Sequence, residues 1–199
     1  YTNDICDASR YSYARYKDSP MHGGLSEFGK DVIGRMNELG MMVDVSHASS
    51  DVLWQAIEVS KAPIVATHSS ARAIKDNARN LTDEEIIAIA KQGGVIQVAT
   101  GRFFLSDLPK NEVTIKHLAD HIDYIKNLVG IEYVGIGTDY DGGGGVVGME
   151  DCSKMKELTV ELLRRGYTEK ELGLFWGGNF LRVWQKVIDV AKELQKEKK

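Results

Sequence analysis

An excess of basic charge is missing from this sequence. With 25 Lys and Arg against 29 Asp and Glu, the 199-residue chain carries a formal net charge of −4. That balance leaves no electrostatic footprint for nucleic acid or for an anionic membrane surface. Long hydrophobic runs are missing too, since none approaches the roughly 18 residues of a membrane span. Cysteine is scarce: Cys6 and Cys152 are far apart and outside any CxxC pattern. A disulfide framework is therefore excluded; two free thiols are expected, with pairing in an oxidising compartment left open. No H-E-x-x-H cluster occurs, and Gly142 to Gly145 lacks the spacing of a phosphate-cradling Walker or Rossmann loop. The chain also starts at Tyr1 with neither a methionine nor a signal-like segment. The expectation is that residues upstream have been removed, so the compartment, cytoplasmic or exported, is not fixed by the sequence.

What is present suits a soluble globular domain. The chain is 43% hydrophobic and 27% charged, and long enough for one sizeable core. Its most informative stretch runs from Met41 to His68. Met41-Met42-Val43-Asp44-Val45-Ser46-His47 and Pro63-Ile64-Val65-Ala66-Thr67-His68 are two short apolar runs, each ending on a histidine. Between them Val52, Leu53, Ala56 and Ile57 recur at helical spacing. This predicts a strand-helix-strand unit with a histidine at the C-terminal end of each strand, the end at which parallel α/β folds bind ligands.

The rest of the chain continues the alternation. Residues 1 to 24, with Asp, Ser, Gly and several Tyr, read as a long loop. Ser26 is a credible N-cap for a helix carrying Phe28, Val32, Ile33, Met36 and Leu39, closed by Gly40. Thr82 with Glu85 and Thr168 with Glu171 have capping-box spacing. Val95 to Ala99 and Tyr133 to Gly137 read as two further strands, separated by a Thr114-capped helix with Ile115, Leu118, Ala119, Ile122, Ile125 and Leu128. Helices over about 153–165 and from Phe180 to Leu194 complete the chain, with a frayed, solvated end at Gln195 to Lys199. Four parallel strands cannot close a barrel, which takes eight strands in roughly 250 residues. A small open doubly wound sheet is one reading. Because His47, His68 and Asp139 all fall at strand ends, the preferred one is the second half of a (β/α)8 barrel.

Those three residue types suit metal-assisted hydrolysis. Neutral imidazole is the commonest zinc ligand, and catalytic zinc keeps a position open for water. A rim carboxylate such as Asp139 is placed to take a proton and pass it to a leaving group. Asp139 also has the simpler reading of a loop cap, with Asp141 competing two residues on. Arg79, Arg72 and Arg102 compete for any anion-binding role, and His22, His117 and His121 read as ordinary polar residues. Two histidines under-coordinate zinc, so at least one further ligand must come from elsewhere.

Several blocks then resemble one family. They are Asp44-Val45-Ser46-His47, Thr67-His68-Ser69-Ser70-Ala71, Ala78-Arg79-Asn80-Leu81, Gly135-Ile136-Gly137-Thr138-Asp139-Tyr140-Asp141-Gly142 and Gly178-Asn179-Phe180-Leu181-Arg182-Val183. Together they resemble the C-terminal part of the membrane (renal) dipeptidase family of zinc peptidases, within the amidohydrolase-like metal-dependent (β/α)8 barrels. The resemblance implies hydrolysis of dipeptides, including some with a D-residue at the C-terminal position, by zinc-activated hydroxide at a two-zinc centre. It implies that His47 and His68 hold the second zinc, that Arg79 binds the substrate carboxylate, and that Asp139 handles protons and contacts the substrate's amino end. The family's His-x-Asp pair, its bridging glutamate and a further substrate-binding histidine would lie before Tyr1. Residues 1–199 are thus expected to be the C-terminal portion of one metallopeptidase domain, with the N-terminal half absent. The expected partners are a dipeptide, that missing half and, as an assembly to test, a second copy in a homodimer. The alternatives are another amidohydrolase-type activity, such as a lactonase or phosphotriesterase, and an inactive fragment or binding module.

Overall fold

The computed structural model describes residues 2–9 and 20–197. Much of the expected N-terminal loop, including its tyrosines, and the final Lys198 and Lys199 lie outside the described residues. The described flanks of that loop are tied down. Cys6 pairs with Leu25 and Ala8 with Ala48 in isolated antiparallel bridges. The buried Asp7 carboxylate accepts from the backbone N–H groups of Met21, His22 and Gly24. Burial works to raise its pKa, and those amides outweigh burial and hold it below the usual value.

Helix α1 (Glu27–Leu39) starts at Ser26, whose hydroxyl accepts from the Gly29 N–H at 3.0 Å, and ends at Gly40 with φ +73°. Its buried face differs from the expected stripe. Gly29, Ile33 and Asn37 are buried, while Phe28 and Leu39 are exposed. Two contacts that hydrophobic spacing cannot reveal cause this rotation. A Cβ on Gly29 would sit 2.1 Å from the Ile5 carbonyl oxygen, so only glycine permits that approach. Asn37 is buried because its amide is paired, accepting from Lys61 N–H at 2.6 Å and donating to Ser60 Oγ at 3.1 Å.

Helix α2 (Ser50–Val59) leads to β1 (Val65–Ala66), and α3 (Asp83–Lys91), with its Thr82–Glu85 capping box, leads to β2 (Val95–Ala99). After the short α4 (Arg102–Leu105), α5 (Ile115–Val129) opens at Thr114 and leads to β3 (Val134–Gly137). The three strands form one parallel sheet in the order β1-β2-β3, with Val65 opposite Val95 and Ile96 opposite Val134. This is an α/β fold, with three regular strands among the described residues where four were expected. The Met41 to His47 run contributes only a parallel bridge between Asp44 and Val65. The bridge carries two ladder bonds, Val45 N–H to the Val65 carbonyl and Val65 N–H to the Val43 carbonyl, each 2.9 Å. It stops there because the Asp44 carboxylate accepts from Ser46 N–H at 2.9 Å and turns the chain. β1 is shortened as well, since Pro63 has no N–H and the Ile64 N–H goes to the Gln92 side chain.

Helices α6 (Met155–Arg164) and α7 (Glu169–Gly173) follow, then a π-helical turn at Leu174–Gly178 and α8 (Asn179–Glu197). The buried face of α8 is Asn179, Val183, Val187, Val190 and Ala191, whereas Leu181 and Trp184 are exposed. Arg182 fixes this rotation. Its guanidinium donates to the carbonyls of Gly93 and Gly94 just before β2 and of Glu132 just before β3. Helix α8 therefore lies at the N-terminal ends of the strands and leaves the C-terminal ends clear. No helix among the described residues is long and apolar enough to cross a membrane.

Candidate functional site

Strand alternation sorts the residues near this rim. Val43, Val45, Ile64, Ala66, Ile96 and Val98 belong to the main buried core. The intervening Asp44, Thr67 and Gln97 lie outside it and keep some exposure. Close backbone approach draws the rim together: a Cβ on Gly137 would sit 1.7 Å from the Thr67 carbonyl oxygen. The chain leaving β1 also crosses β2, with Ser69 N–H donating to the Gln97 carbonyl at 3.0 Å.

His47 and His68 meet at this end, with ring centroids 4.9 Å apart and planes inclined by 56°. His47 stands three residues beyond the Asp44 bridge with φ +68°, a left-handed conformation unusual for a residue with a side chain. Asp139, two residues beyond β3, shares it at φ +53°. Such outliers gather where surrounding structure over-determines the backbone, often at binding sites. For Asp139 the following glycines supply the constraint, since Gly142 and Gly144 both donate to its carbonyl, at 3.0 and 2.7 Å. The loop is thus capped by the Asp139 backbone, and the carboxylate lies close enough for its charge to act on His68. Asp141 is exposed.

The surroundings of both imidazoles favour the neutral form. Surrounding protein, and next the Arg79 charge, lower the pKa of His68, against the opposing pull of Asp139 and Asp44. The same two causes, with His68 third, lower that of His47. Neutral imidazole is the form that ligates metal. Arg79 is 4% exposed. It donates through Nη2 to the His68 carbonyl at 2.9 Å and through Nη1 to Ser69 Oγ at 3.2 Å, with its guanidinium 5.4 Å from the Phe104 ring centroid. The competing arginines are engaged elsewhere: Arg72 donates to the carbonyls of Asn77, Ala78 and Asn80, and Arg102 to those of Gly145 and Lys110.

The structure thus brings His47, His68, Arg79 and Asp139 to one end of the sheet. It also reveals residues that sequence reasoning passed over. Asp44 accepts from the Thr67 N–H at 3.0 Å and from its hydroxyl at 2.5 Å, and Ser46 Oγ accepts from the His68 N–H at 3.0 Å. The Asp-x-Ser spacing was the available signal, because it favours an Asx turn. His121 is a correction. It is fully buried, accepting from Ala71 N–H through Nδ1 and donating through Nε2 to the Leu105 carbonyl, each 3.1 Å. Cys6 and Cys152 are both free thiols.

The donor chemistry fits a borderline-soft divalent metal such as zinc in part: two neutral nitrogens meet at one rim. Among the described residues, no group of three or more His, Cys, Asp or Glu side chains converges to hold an ion, so the pair is a partial donor set.

Comparison with known proteins gives a consistent picture. The model of one family, membrane dipeptidase (peptidase family M19), matches residues 1–198. Dipeptidase 3 of Mus musculus is 42% identical over 172 residues, covering 85% of this chain and 34% of its own length. The chain therefore spans about a third of the length of that relative. Among solved structures, the probable dipeptidase PvdM from Pseudomonas aeruginosa matches with a TM-score of 0.89 at 34% identity, covering 96% of this chain and 61% of that one. A metallo peptidase from Rhodobacter sphaeroides, liganded with a phosphinate mimic of the dipeptide L-Ala-D-Ala, matches with a TM-score of 0.79 at 27% identity. That match covers 82% of this chain and 47% of the other.

Proposed function

Because the chain belongs to the membrane dipeptidase family, we propose that residues 1–199 are the C-terminal portion of a single (β/α)8 metallopeptidase domain that hydrolyses dipeptides. One observation carries this reading: His47 and His68 meet at one end of the sheet with ring centroids 4.9 Å apart, and the buried Arg79 donates to the His68 carbonyl. The apolar face beside the Val43 to Val45 edge suits continuation of the barrel. A cavity of about 280 Å³ opens there, lined by Ile5, Leu25, Val32, Met36, Val43 and Val45 among others. The N-terminal half, carried by the intact protein, would cover it.

His47 and His68 would hold one of two zinc ions, with the remaining ligands supplied by that half. When bound, the metal supplies Lewis-acid polarisation of the scissile carbonyl and an acidified water. Arg79 places a fixed positive charge under the site, so a free substrate carboxylate is drawn to one end and short peptides are selected. Asp139 stands across the rim, where its carboxylate would take a proton on attack and return it to the leaving amine. An amide and a carboxylate in one small substrate match these two groups. A lactone or phosphotriester gives Arg79 nothing to bind. The Rhodobacter protein's ligand mimics a dipeptide with a D-residue at its C-terminal position, and we infer that this chain's substrates include such dipeptides.

The test is hydrolysis of L-Ala-L-Ala and L-Ala-D-Ala by the intact protein, before and after chelation and after zinc is restored. Loss on chelation and recovery with zinc support the reading. Absence of hydrolysis in the zinc-loaded intact protein would overturn it.

A further inference from the structure

We infer that Asp44, acting through the Thr67 hydroxyl, fixes which nitrogen of His68 carries the proton, and so presents Nε2 as a bare lone pair. The inference rests on the proposed reading of His68 as a metal ligand. Its basis is a chain of three groups. Thr67 Oγ1 lies 2.5 Å from Asp44 Oδ2 and 2.9 Å from His68 Nδ1.

The direction of that chain follows from donor counting. A carboxylate only accepts, and a hydroxyl has one proton to give. Asp44 takes the Thr67 proton, so the Thr67 oxygen turns a lone pair toward His68. Nδ1 of His68 must then donate, and a neutral ring with its proton on Nδ1 has none on Nε2. Asp44 fixes the backbone as well, because its Oδ1 accepts from the N–H groups of Ser46 and Thr67. Ser46 in turn accepts from the His68 N–H through Oγ. The fold supplies the alignment. Asp44 pairs with Val65, and Thr67, two residues on, shares the face on which the carboxylate stands. Asp44 is thus a positioning residue, separated from the proposed metal by Thr67 and His68. Changing the hydrogen bonding at a ligating histidine commonly alters metal affinity by 10- to 100-fold.

Asparagine at position 44 provides a sharp test, because it keeps the shape and reverses the polarity. Oδ1 is already committed to two N–H donors, so the new amide nitrogen replaces Oδ2 and donates to Thr67 Oγ1. The hydroxyl proton then turns to His68 Nδ1, and the ring proton moves to Nε2.

Long-range 1H–15N correlation spectra of the metal-free intact protein, with the His68 signals identified by their loss in His68→Gln, report the tautomer directly. We expect the Nδ1–H form in the native protein and in Thr67→Ser, which keeps the hydroxyl, and the Nε2–H form in Asp44→Asn. Zinc affinity should fall at least about tenfold in Asp44→Asn and stay within threefold of native in Thr67→Ser. An Nε2–H tautomer in the native protein overturns the proposal whatever the variants do. An unchanged tautomer in a folded Asp44→Asn overturns it too. If Asp44→Asn does not fold, Thr67→Val takes its place, and an unchanged zinc affinity there is contrary. A switched tautomer with no zinc bound in any form supports the hydrogen-bond chain and instead overturns the assignment of His68 as a ligand.

Discussion

Arg79 donates through Nη2 to the carbonyl oxygen of His68 at 2.9 Å, joining the buried cation to the backbone of that histidine. The guanidinium therefore has two effects at once. It helps lower the pKa of both histidines, and in the proposed reading it also places a positive charge where a substrate carboxylate would end. Replacing Arg79 separates these effects from a general loss of fold.

Arg79→Lys keeps the charge and loses the planar fork, which gives up one hydrogen-bonded arm and the paired geometry. For the intact protein we expect KM for dipeptides to rise about 10- to 100-fold, equivalent to roughly 1.4–2.7 kcal/mol, with kcat changed much less. Steady-state kinetics on L-Ala-L-Ala decide it. An unchanged KM would remove Arg79 from substrate binding.

His121 should make the protein acid-sensitive. Burial, the largest cause, pushes its pKa down to about 4 from 6.5. The folded pKa lies below the unfolded one, so the unfolded chain binds the extra proton first. Stability contributed by the neutral ring is complete above about pH 6.5, falls as pH drops toward 4, and levels off below. A proton on Nδ1 would face the Ala71 N–H that now donates to it. Urea unfolding at pH 7 and pH 4 should show the native protein's advantage over His121→Gln shrinking by roughly 3 kcal/mol. A pH-independent difference would mean that His121 titrates alike in the folded and unfolded chain, contrary to its burial.

Gly137→Ala should destabilise far more than an ordinary glycine substitution in a strand. The added Cβ would lie 1.7 Å from the Thr67 carbonyl oxygen, and a backbone atom cannot swing aside. A loss of about 2 kcal/mol or more is expected in denaturant unfolding. Loss of the His68 Nδ1–H signature should accompany it, because Thr67 precedes His68. A change below about 0.5 kcal/mol would mean that the rim is looser than described.

Legibility in the sequence followed the range of the interactions. Helix starts at Ser26, Thr82, Thr114 and Thr168 were readable because a cap is decided within three residues. The histidine-ending runs stood out because apolar stretches stop visibly. The phase of α1 was not readable, since Gly29 and Asn37 are buried by a close carbonyl and by hydrogen bonds rather than by hydrophobicity. The first expected strand shrank to one bridge because Asp44 caps its own chain. His121 reads as an ordinary polar residue because its partner Ala71 lies 50 positions away, and the Asp44–Thr67 contact spans 23. Pairings at such distances are fixed by the fold and leave no local trace.

In the proposed reading His47 and His68 hold one zinc of a two-zinc centre, and metal stoichiometry reads this out. Zinc per chain, measured by mass spectrometry of elements on the intact protein and on His47→Ala/His68→Ala, should be about two in the first and about one in the second. Circular dichroism should confirm that both remain folded. Equal zinc content in the two folded proteins, or none in the native one, would mean that His47 and His68 hold no zinc.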